Sequence, residues 1–265
     1  MRNPDYNTLV PYAFVAMQCP ACGQAGLTVQ SRHNGLVCEA CAQTFPGLAT
    51  VPDLAPGLGE SLSRLRWLAR WSRTARWVRR RGRPTIDRWM SGRTADDRDA
   101  WVVSWLRPVD GPVLDLCTGA GHTAGAVARW MGAGRVIGVD ASLTLLRQTQ
   151  SSPLDPGLAY VRAADERLPF QDGSVGAVQA MAGLHQTPSP LGLVAEVGRV
   201  LAPGGTFVGA VHVDEGPSGL RWLVRALGEP PVERSAVVDA IDAAGMAMVS
   251  LQLAGITAFF AARRR

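Results

Sequence analysis

The sequence predicts an α/β chain: a doubly wound, mainly parallel sheet, preceded by a small cysteine-rich domain and a helical connector. Three observations predict it. From about Gly111 onward, short β-branched runs alternate with helical patterns, the signature of βαβ units. Four of the five cysteines lie before Leu54, in two CxxC pairs. Between these parts, Arg64 to Arg107 holds thirteen of the 27 arginines and six of the eight tryptophans. The divisions fall at residues 1–54, 55–108 and 109–265, the first at the breaker-rich Pro52-Asp53-Leu54-Ala55-Pro56-Gly57.

A chain of 265 residues has room for one medium domain and a small one. Apolar residues at 47% and a mean hydropathy of +0.05 argue against disorder. No stretch approaches the ~20 apolar residues of a membrane span. The first twenty residues lack the basic-then-apolar pattern of a secretory signal. Together these features point to a cytoplasmic protein. The net charge of +5 is carried without a single lysine. A GC-rich genome accounts for the choice of arginine, though not for its clustering.

Cys19-Pro20-Ala21-Cys22 and Cys38-Glu39-Ala40-Cys41 form a CxxC-x15-CxxC array. Each turn can aim two thiolates at one point, and two such turns close a tetrahedral shell with no open position. The array therefore predicts a structural zinc held by Cys19, Cys22, Cys38 and Cys41, supplying much of the folding free energy of a domain too small for a core of its own. Two disulfides or free core thiols are the competing explanations, the former disfavoured in a cytoplasmic protein. His33 lies between the pairs and reads as a surface residue. The segment, with Phe45-Pro46-Gly47 and Val51-Pro52-Asp53-Leu54, resembles the zinc-ribbon-type domains fused to some bacterial and plant methyltransferases.

Val113-Leu114-Asp115-Leu116-Cys117 reads as a buried strand. It runs into Thr118-Gly119-Ala120-Gly121-His122 and then a helix to about Met131. Glycines at such a turn let a ligand approach the backbone, and the helix N-terminus favours negative charge. A second strand, Arg135 to Val139, ends in Asp140, whose carboxylate suits the two hydroxyls of a ribose. Gly119, Gly121 and Ala124 also satisfy the loose G-x-G-x-x-G/A dinucleotide pattern. A nicotinamide cofactor therefore competes at this point.

The residues beyond separate the two. Val113 to Gly121, Val136-Ile137-Gly138-Val139-Asp140-Ala141-Ser142, Asp165 to Ser174, Gly183-Leu184-His185-Gln186 and Glu196 to Gly205 resemble, in order and spacing, class I methyltransferases, especially the ubiquinone/menaquinone C-methyltransferase-like group. The resemblance implies a seven-stranded, Rossmann-like sheet and S-adenosyl-L-methionine as cofactor. It implies further that Asp115 and Cys117 belong to the cofactor site and that the glycine loop of Thr118, Gly119, Ala120 and Gly121 lies along the methionine part. Asp140, with Ala141 and Ser142, would hold the ribose; Ala164, Asp165 and Glu166 would border the adenine, and Met181 would end the fourth strand beside the cofactor. The competing role for Asp140 is a helix N-cap, which Ser142 could equally supply. The sequence departs from the family at Cys117 (usually glycine), Ala164 (usually the adenine-contacting acid) and Gly176 (usually aspartate).

Ligands of open α/β sheets bind beyond the carboxyl ends of the strands, and three of the four histidines fall there. His122 follows the first strand, His185 the fourth, and His212 ends the fifth (Thr206 to Val213). An imidazole suits deprotonation of an acceptor before attack on a sulfonium methyl. The methyl is already activated, so alignment competes with a base as the main contribution. Any of the three could instead be structural.

From Leu65 to Arg81 the chain is amphipathic. Leu65, Trp67, Leu68, Trp71, Ala75 and Val78 share one half, and Arg66, Arg70, Arg73, Arg76, Arg80 and Arg81 the other. A second helical pattern, Thr94 to Leu106, is expected to bury Trp101 and Trp105. The segment reads as a cap on the substrate pocket. RNA binding is the alternative, in the two-part plan of ribosomal-RNA guanine methyltransferases with an N-terminal zinc finger; docking to a membrane surface is another. The function expected is methylation, at carbon or oxygen, of a small, largely apolar molecule such as a quinone or secondary metabolite. An rRNA base methyltransferase and a protein of the same fold with a non-methylating role are the alternatives.

Overall fold

The computed structural model describes residues 16–30, 35–48, 51–58, 88, 91–106, 110–119, 121–131, 135–149, 158–181, 183–226 and 229–265. The amphipathic stretch Leu65 to Arg81, with Trp67, Trp71, Trp77 and Trp89, lies outside them, as do His33 and Ala120.

The cysteine-rich part folds as short antiparallel strands: β1 (Leu27–Gln30), β2 (Gly35–Cys38) and β3 (Thr44–Phe45) in one sheet, β4 (Gly47–Leu48) and β5 (Val51–Pro52) in another. The two CxxC turns repeat one geometry. Cys19 N–H donates to the Gln24 carbonyl at 2.8 Å, and Cys38 N–H to the Gln43 carbonyl at 2.9 Å. Four residues after each first cysteine stands a residue of positive φ, Gly23 (76°) and Ala42 (58°). The two turns are structural equivalents.

Helix α1 (Ala95–Trp105) starts where Thr94 and Asp97 form a capping box. The Thr94 hydroxyl accepts from Asp97 N–H at 3.1 Å while the Asp97 carboxylate accepts from Thr94 N–H at 2.9 Å. Its fully buried side chain is Val102, with Leu106 one turn on. Trp101 and Trp105 are only partly buried, which corrects the expectation that the helix buries both. Trp101 instead lies edge-on to Phe259, centroids 5.7 Å apart.

The remainder alternates strand and helix: β6 (Val113–Leu116), α2 (His122–Met131), β7 (Val136–Asp140), α3 (Leu143–Thr149), β8 (Leu158–Arg162), β9 (Val175–Ala180), a 3-10 turn (Leu184–Gln186), α4 (Pro190–Val200), β10 (Leu201–His212), α5 (Ser218–Ala226), α6 (Arg234–Ala243), β11 (Met246–Ala254) and β12 (Thr257–Arg264). Every residue of β6, β7 and β9 is buried, as strands covered on both faces must be, and their near-continuous apolar runs are the reason. The seven-stranded sheet has the order β11-β12-β10-β9-β6-β7-β8. β12 runs antiparallel to both its neighbours and the other pairings are parallel. The chain lays β7 and β8 to one side of β6 and returns β9 to the other. The crevice beyond the carboxyl ends of β6 and β9 is therefore the place for a ligand. β10 begins at Leu201 rather than Thr206, because α4 runs directly into it and an irregularity between Leu201 and Thr206 absorbs the turn.

Arg162, at the end of the edge strand β8, joins the cysteine-rich part to this sheet. Its Nη1 donates to Asp53 Oδ2 at 2.9 Å and to the Ala55 carbonyl, Nη2 to the Leu58 carbonyl, and Nε to the Ala141 carbonyl. Leu54 N–H donates to the Arg162 carbonyl at 3.0 Å. The guanidinium is almost wholly buried, and its five donors are what make so many partners satisfiable. Met17, Leu36 and Leu54 share one apolar cluster with Leu168 and Phe170. A second clasp holds the loop after β8. Arg199 of α4 donates to the Leu168 and Phe170 carbonyls and to Asp172, while Glu196 braces the same guanidinium and accepts from Leu168 N–H. Among the described residues no helix is long and apolar enough to cross a membrane.

Candidate active site

Backbone geometry shapes the turn after β6. Cys117, Gly119 and Gly121 have positive φ of 54°, 57° and 79°, so this turn needs left-handed conformations that only glycine adopts without cost. Cys117 adopts one nonetheless. Its side chain lies over Gly183, where an added Cβ would come within 2.0 Å of Cys117 Cβ. Glycine at 183 makes room for the non-glycine at 117. On the other side, a Cβ on Gly121 would meet Tyr160 Oη at 2.3 Å, whereas one on Gly119 would meet nothing nearer than the Cys117 carbonyl at 3.9 Å. The loop is thus packed on Tyr160 beneath and open at Gly119.

Asp140 ties this loop to the end of β7. Oδ2 accepts from Gly119 N–H at 2.8 Å and Oδ1 from Ser142 N–H at 2.8 Å. The N-terminus of α3 is capped by Ser142, whose hydroxyl accepts from Leu145 N–H at 3.4 Å. Asp140 is therefore not needed as that helix's cap. A carboxylate offers about four acceptor positions over its two oxygens, the capacity a ribose diol calls for. Asp115 lies behind the loop, its Oδ2 accepting from the Thr118 hydroxyl at 2.5 Å. Burial pushes the Asp115 carboxyl up to about 7; the Thr118 hydrogen bond opposes this and the nearby Asp140 charge adds to it. Burial, with a contribution from the Asp115 charge, likewise raises the Tyr160 phenol to about 12, and Tyr160 Oη has no hydrogen-bond partner among the described residues.

The remaining cofactor candidates follow the strand ends. Ala164 and Asp165 are partly buried and Glu166 is exposed, in the turn after β8. Met181, directly after β9, is buried, with its N–H donated to Gln179 Oε1 at 3.1 Å. Ala141 is committed through its carbonyl to Arg162.

The three histidines part company. His122 is the first residue of α2 and is exposed. His185, in the 3-10 turn, and His212, the last residue of β10, pack ring against ring, tilted by 33° with centroids 3.9 Å apart. Burial pushes the His212 imidazole down to about 4. Its Nδ1 lies 3.3 Å from the Thr257 hydroxyl, across the β10–β12 pair, and its Nε2 has no hydrogen-bond partner among the described residues. The third member is Glu229, whose buried Oε2 is 3.8 Å from His185 Nε2. Sequence reasoning missed it: Glu229 precedes Pro230-Pro231 in a segment with no periodicity or motif.

In the cysteine-rich part, the four sulfurs converge. Cys19 and Cys41 Sγ are 3.8 Å apart, and Cys22 and Cys38 Sγ 3.7 Å. Backbone N–H groups of Cys41 and Ala40, partly offset by burial, pull the Cys38 thiol down to about 7. Four thiolates at about 2.3 Å from a tetrahedral zinc would have sulfurs about 3.8 Å apart. The donor set and spacing fit that ion.

Residues 113–205 match the family model described as a methyltransferase domain. An uncharacterized chloroplastic methyltransferase of Arabidopsis thaliana is 32% identical over 224 residues, 76% of this chain and 62% of its own length. A 2-phytyl-1,4-naphtoquinone methyltransferase of Nostoc punctiforme is 37% identical over 109 residues, 39% of this chain and 47% of its own. The chain therefore spans about half to three-fifths of the length of these relatives. Among solved structures, an S-adenosylmethionine-dependent methyltransferase from Mesorhizobium loti shares the fold with a TM-score of 0.52 and 21% identity, over 62% of this chain and 96% of that one. With its glycine turn, its acid at the end of β7 and its single reversed strand β12, the chain resembles class I, S-adenosylmethionine-dependent methyltransferases, and residues 113–205 match the methyltransferase domain.

Proposed function

We propose that the chain is an S-adenosylmethionine-dependent methyltransferase acting at carbon or oxygen of a small, largely apolar acceptor such as a quinone or a secondary metabolite. The observation that carries this reading is the pairing of an open Gly119 backbone with the Asp140 carboxylate at neighbouring strand ends. The cofactor supplies an electrophilic sulfonium methyl. The glycine loop of Thr118, Gly119, Ala120 and Gly121 takes its methionine part, with Cys117 beside the loop and Asp115 bracing Thr118 from behind, and Asp140 accepts the ribose hydroxyls, with Ala141 and Ser142 alongside. Ala164, Asp165 and Glu166 border the adenine, and buried Met181 excludes water beside the sulfonium. The acceptor enters from the β9–β10 side, where His185 and His212 orient its polar atom. The naphtoquinone named for the Nostoc relative supports an apolar, oxygen-bearing acceptor.

The same reading gives residues 1–54 as a zinc-ribbon domain with a structural zinc on Cys19, Cys22, Cys38 and Cys41, residues 55–108 as a capping connector, and residues 109–265 as the methyltransferase domain. A closed shell of four thiolates leaves no position for substrate, so the zinc's role is folding. The clustering of arginine between Arg64 and Arg107 favours one second reading, an RNA substrate. The chloroplastic Arabidopsis relative leaves the compartment open.

Incubation with methyl-labelled cofactor and a cell extract separates the readings. Label in the organic phase, insensitive to RNase, is the expected result. RNase-sensitive label would replace the small-molecule reading with the RNA one. Cofactor binding without any transfer would mean a non-methylating role.

A further inference from the structure

Beyond the four cysteines, one other group of side chains among the described residues has the composition and spacing of a metal site. His185, His212 and Glu229 each offer a ligand atom within 4.8 Å of the other two. They come from three elements: the turn after β9, the end of β10 and the segment after α5. Their side chains are buried or nearly so, with Glu229 at 1% and His185 at 10% exposure.

We propose that His185, His212 and Glu229 bind a divalent first-row transition metal ion, whose open positions take an oxygen of the methyl acceptor. Two imidazoles and one carboxylate suit zinc, iron(II) or cobalt(II) better than magnesium or calcium, which prefer oxygen-only shells. The three ligand atoms, within 4.8 Å of one another, would draw closer around the ion. Two ligands of a tetrahedral zinc with bonds of about 2.0–2.1 Å stand about 3.4 Å apart, against 3.8 Å between His185 Nε2 and Glu229 Oε2. His212 is oriented as a ligand would be, because the Thr257 hydroxyl engages Nδ1 and leaves Nε2 without a hydrogen-bond partner among the described residues. A second partner on the far ring nitrogen is how metal-binding histidines are held.

Three protein ligands leave positions open, unlike the closed thiolate shell at the other end of the chain. The site lies at the carboxyl ends of β9 and β10, where the proposed function puts the acceptor; in that respect it rests on that reading. An acceptor bearing a hydroxyl, enol or quinone oxygen would meet the ion there, and a pure hydrocarbon would not.

The proposal is tested by titrating the full chain with cobalt(II) in a calorimeter, after dialysis against a weak chelator that leaves the thiolate-bound zinc in place. The wild-type chain is expected to take up one cobalt beyond the zinc already present. Glu229→Gln, nearly isosteric, should weaken that uptake at least 100-fold, and His212→Ala should abolish it. Zinc content and S-adenosylhomocysteine affinity, measured on the same samples, report whether each variant is folded. Absence of a cobalt event in wild-type protein that binds S-adenosylhomocysteine would overturn the metal site and leave the methyltransferase reading standing. Undiminished uptake in a folded Glu229→Gln variant would overturn it equally. Failure of S-adenosylhomocysteine to bind, with cobalt uptake intact, would instead count against the methyltransferase reading alone.

Discussion

The two halves of the crevice are built in opposite ways. On the β6–β7 side, Thr118, Gly119, Gly121 and Asp140 lie within one βαβ unit, where Gly119 N–H donates to the Asp140 carboxylate and Gly121 N–H to the Thr118 carbonyl. On the β9–β10 side, His185, His212 and Glu229 stand 27 and 17 residues apart in sequence and meet only through the sheet and the turn after α5. The first half is a local device, and a substitution there should act on one ligand. The second is an assembly whose members depend on the whole fold. The halves join where β6 pairs with β9, and Cys117 packs against Gly183 at that junction.

The two largest effects expected are both on the local side. Asp140→Ala removes two ribose hydrogen bonds to a charged acceptor, together with the tether on Gly119. S-adenosylhomocysteine binding should weaken by about 1.5–3 kcal/mol, roughly 10- to 150-fold, in a calorimetric titration. An unchanged affinity would mean that Asp140 only shapes the loop.

Next comes pH. Asp115, held near 7 against an unfolded value near 3.9, keeps its proton in the folded chain after the unfolded chain has lost it. The folded state binds more protons across that window, so stability falls as pH rises from about 4 to about 7, by up to about 4 kcal/mol, and is level above it. Asp115→Asn should flatten the profile in denaturant melts. A wild-type profile that rises over the same window would contradict the assignment.

The junction between the halves gives a smaller effect. Gly183→Ala drives a methyl into Cys117 and should cost about 1–3 kcal/mol of stability, as overpacking does. Adding Cys117→Gly should return most of that loss, since it clears the space and relieves the positive φ. A double variant no better than Gly183→Ala would show that the strain lies elsewhere. The smallest effect tests independence. Glu229→Gln should change S-adenosylhomocysteine affinity by no more than about 0.5 kcal/mol, the usual coupling between separate sites. A larger change would mean that the halves communicate.

The same contrast governs what could be read without coordinates. The α/β class, the sheet and the glycine turn were legible, because alternating buried runs and a Gly-rich strand-to-helix turn are local patterns. The four cysteines were legible because their spacing alone allows the two equivalent turns. His185 and His212 could be placed at strand ends but not against each other, since the ring contact depends on β9 and β10 being neighbours. Glu229 and Thr257 had no signal at all. Arg162 was equally silent, because a lone arginine closing a strand says nothing of the Asp53 it will meet from 109 residues away. Trp101 and Trp105 misled, since hydrophobic periodicity identifies the face of a helix without saying which residue on it is covered.

The central claim is that the β6–β7 turn holds an adenosyl cofactor, and a calorimetric titration of the wild-type chain with S-adenosylhomocysteine and, separately, with NAD tests it most directly. Saturable S-adenosylhomocysteine binding at one site per chain, with no comparable NAD binding, is the predicted result; tight NAD binding with none for S-adenosylhomocysteine would contradict it.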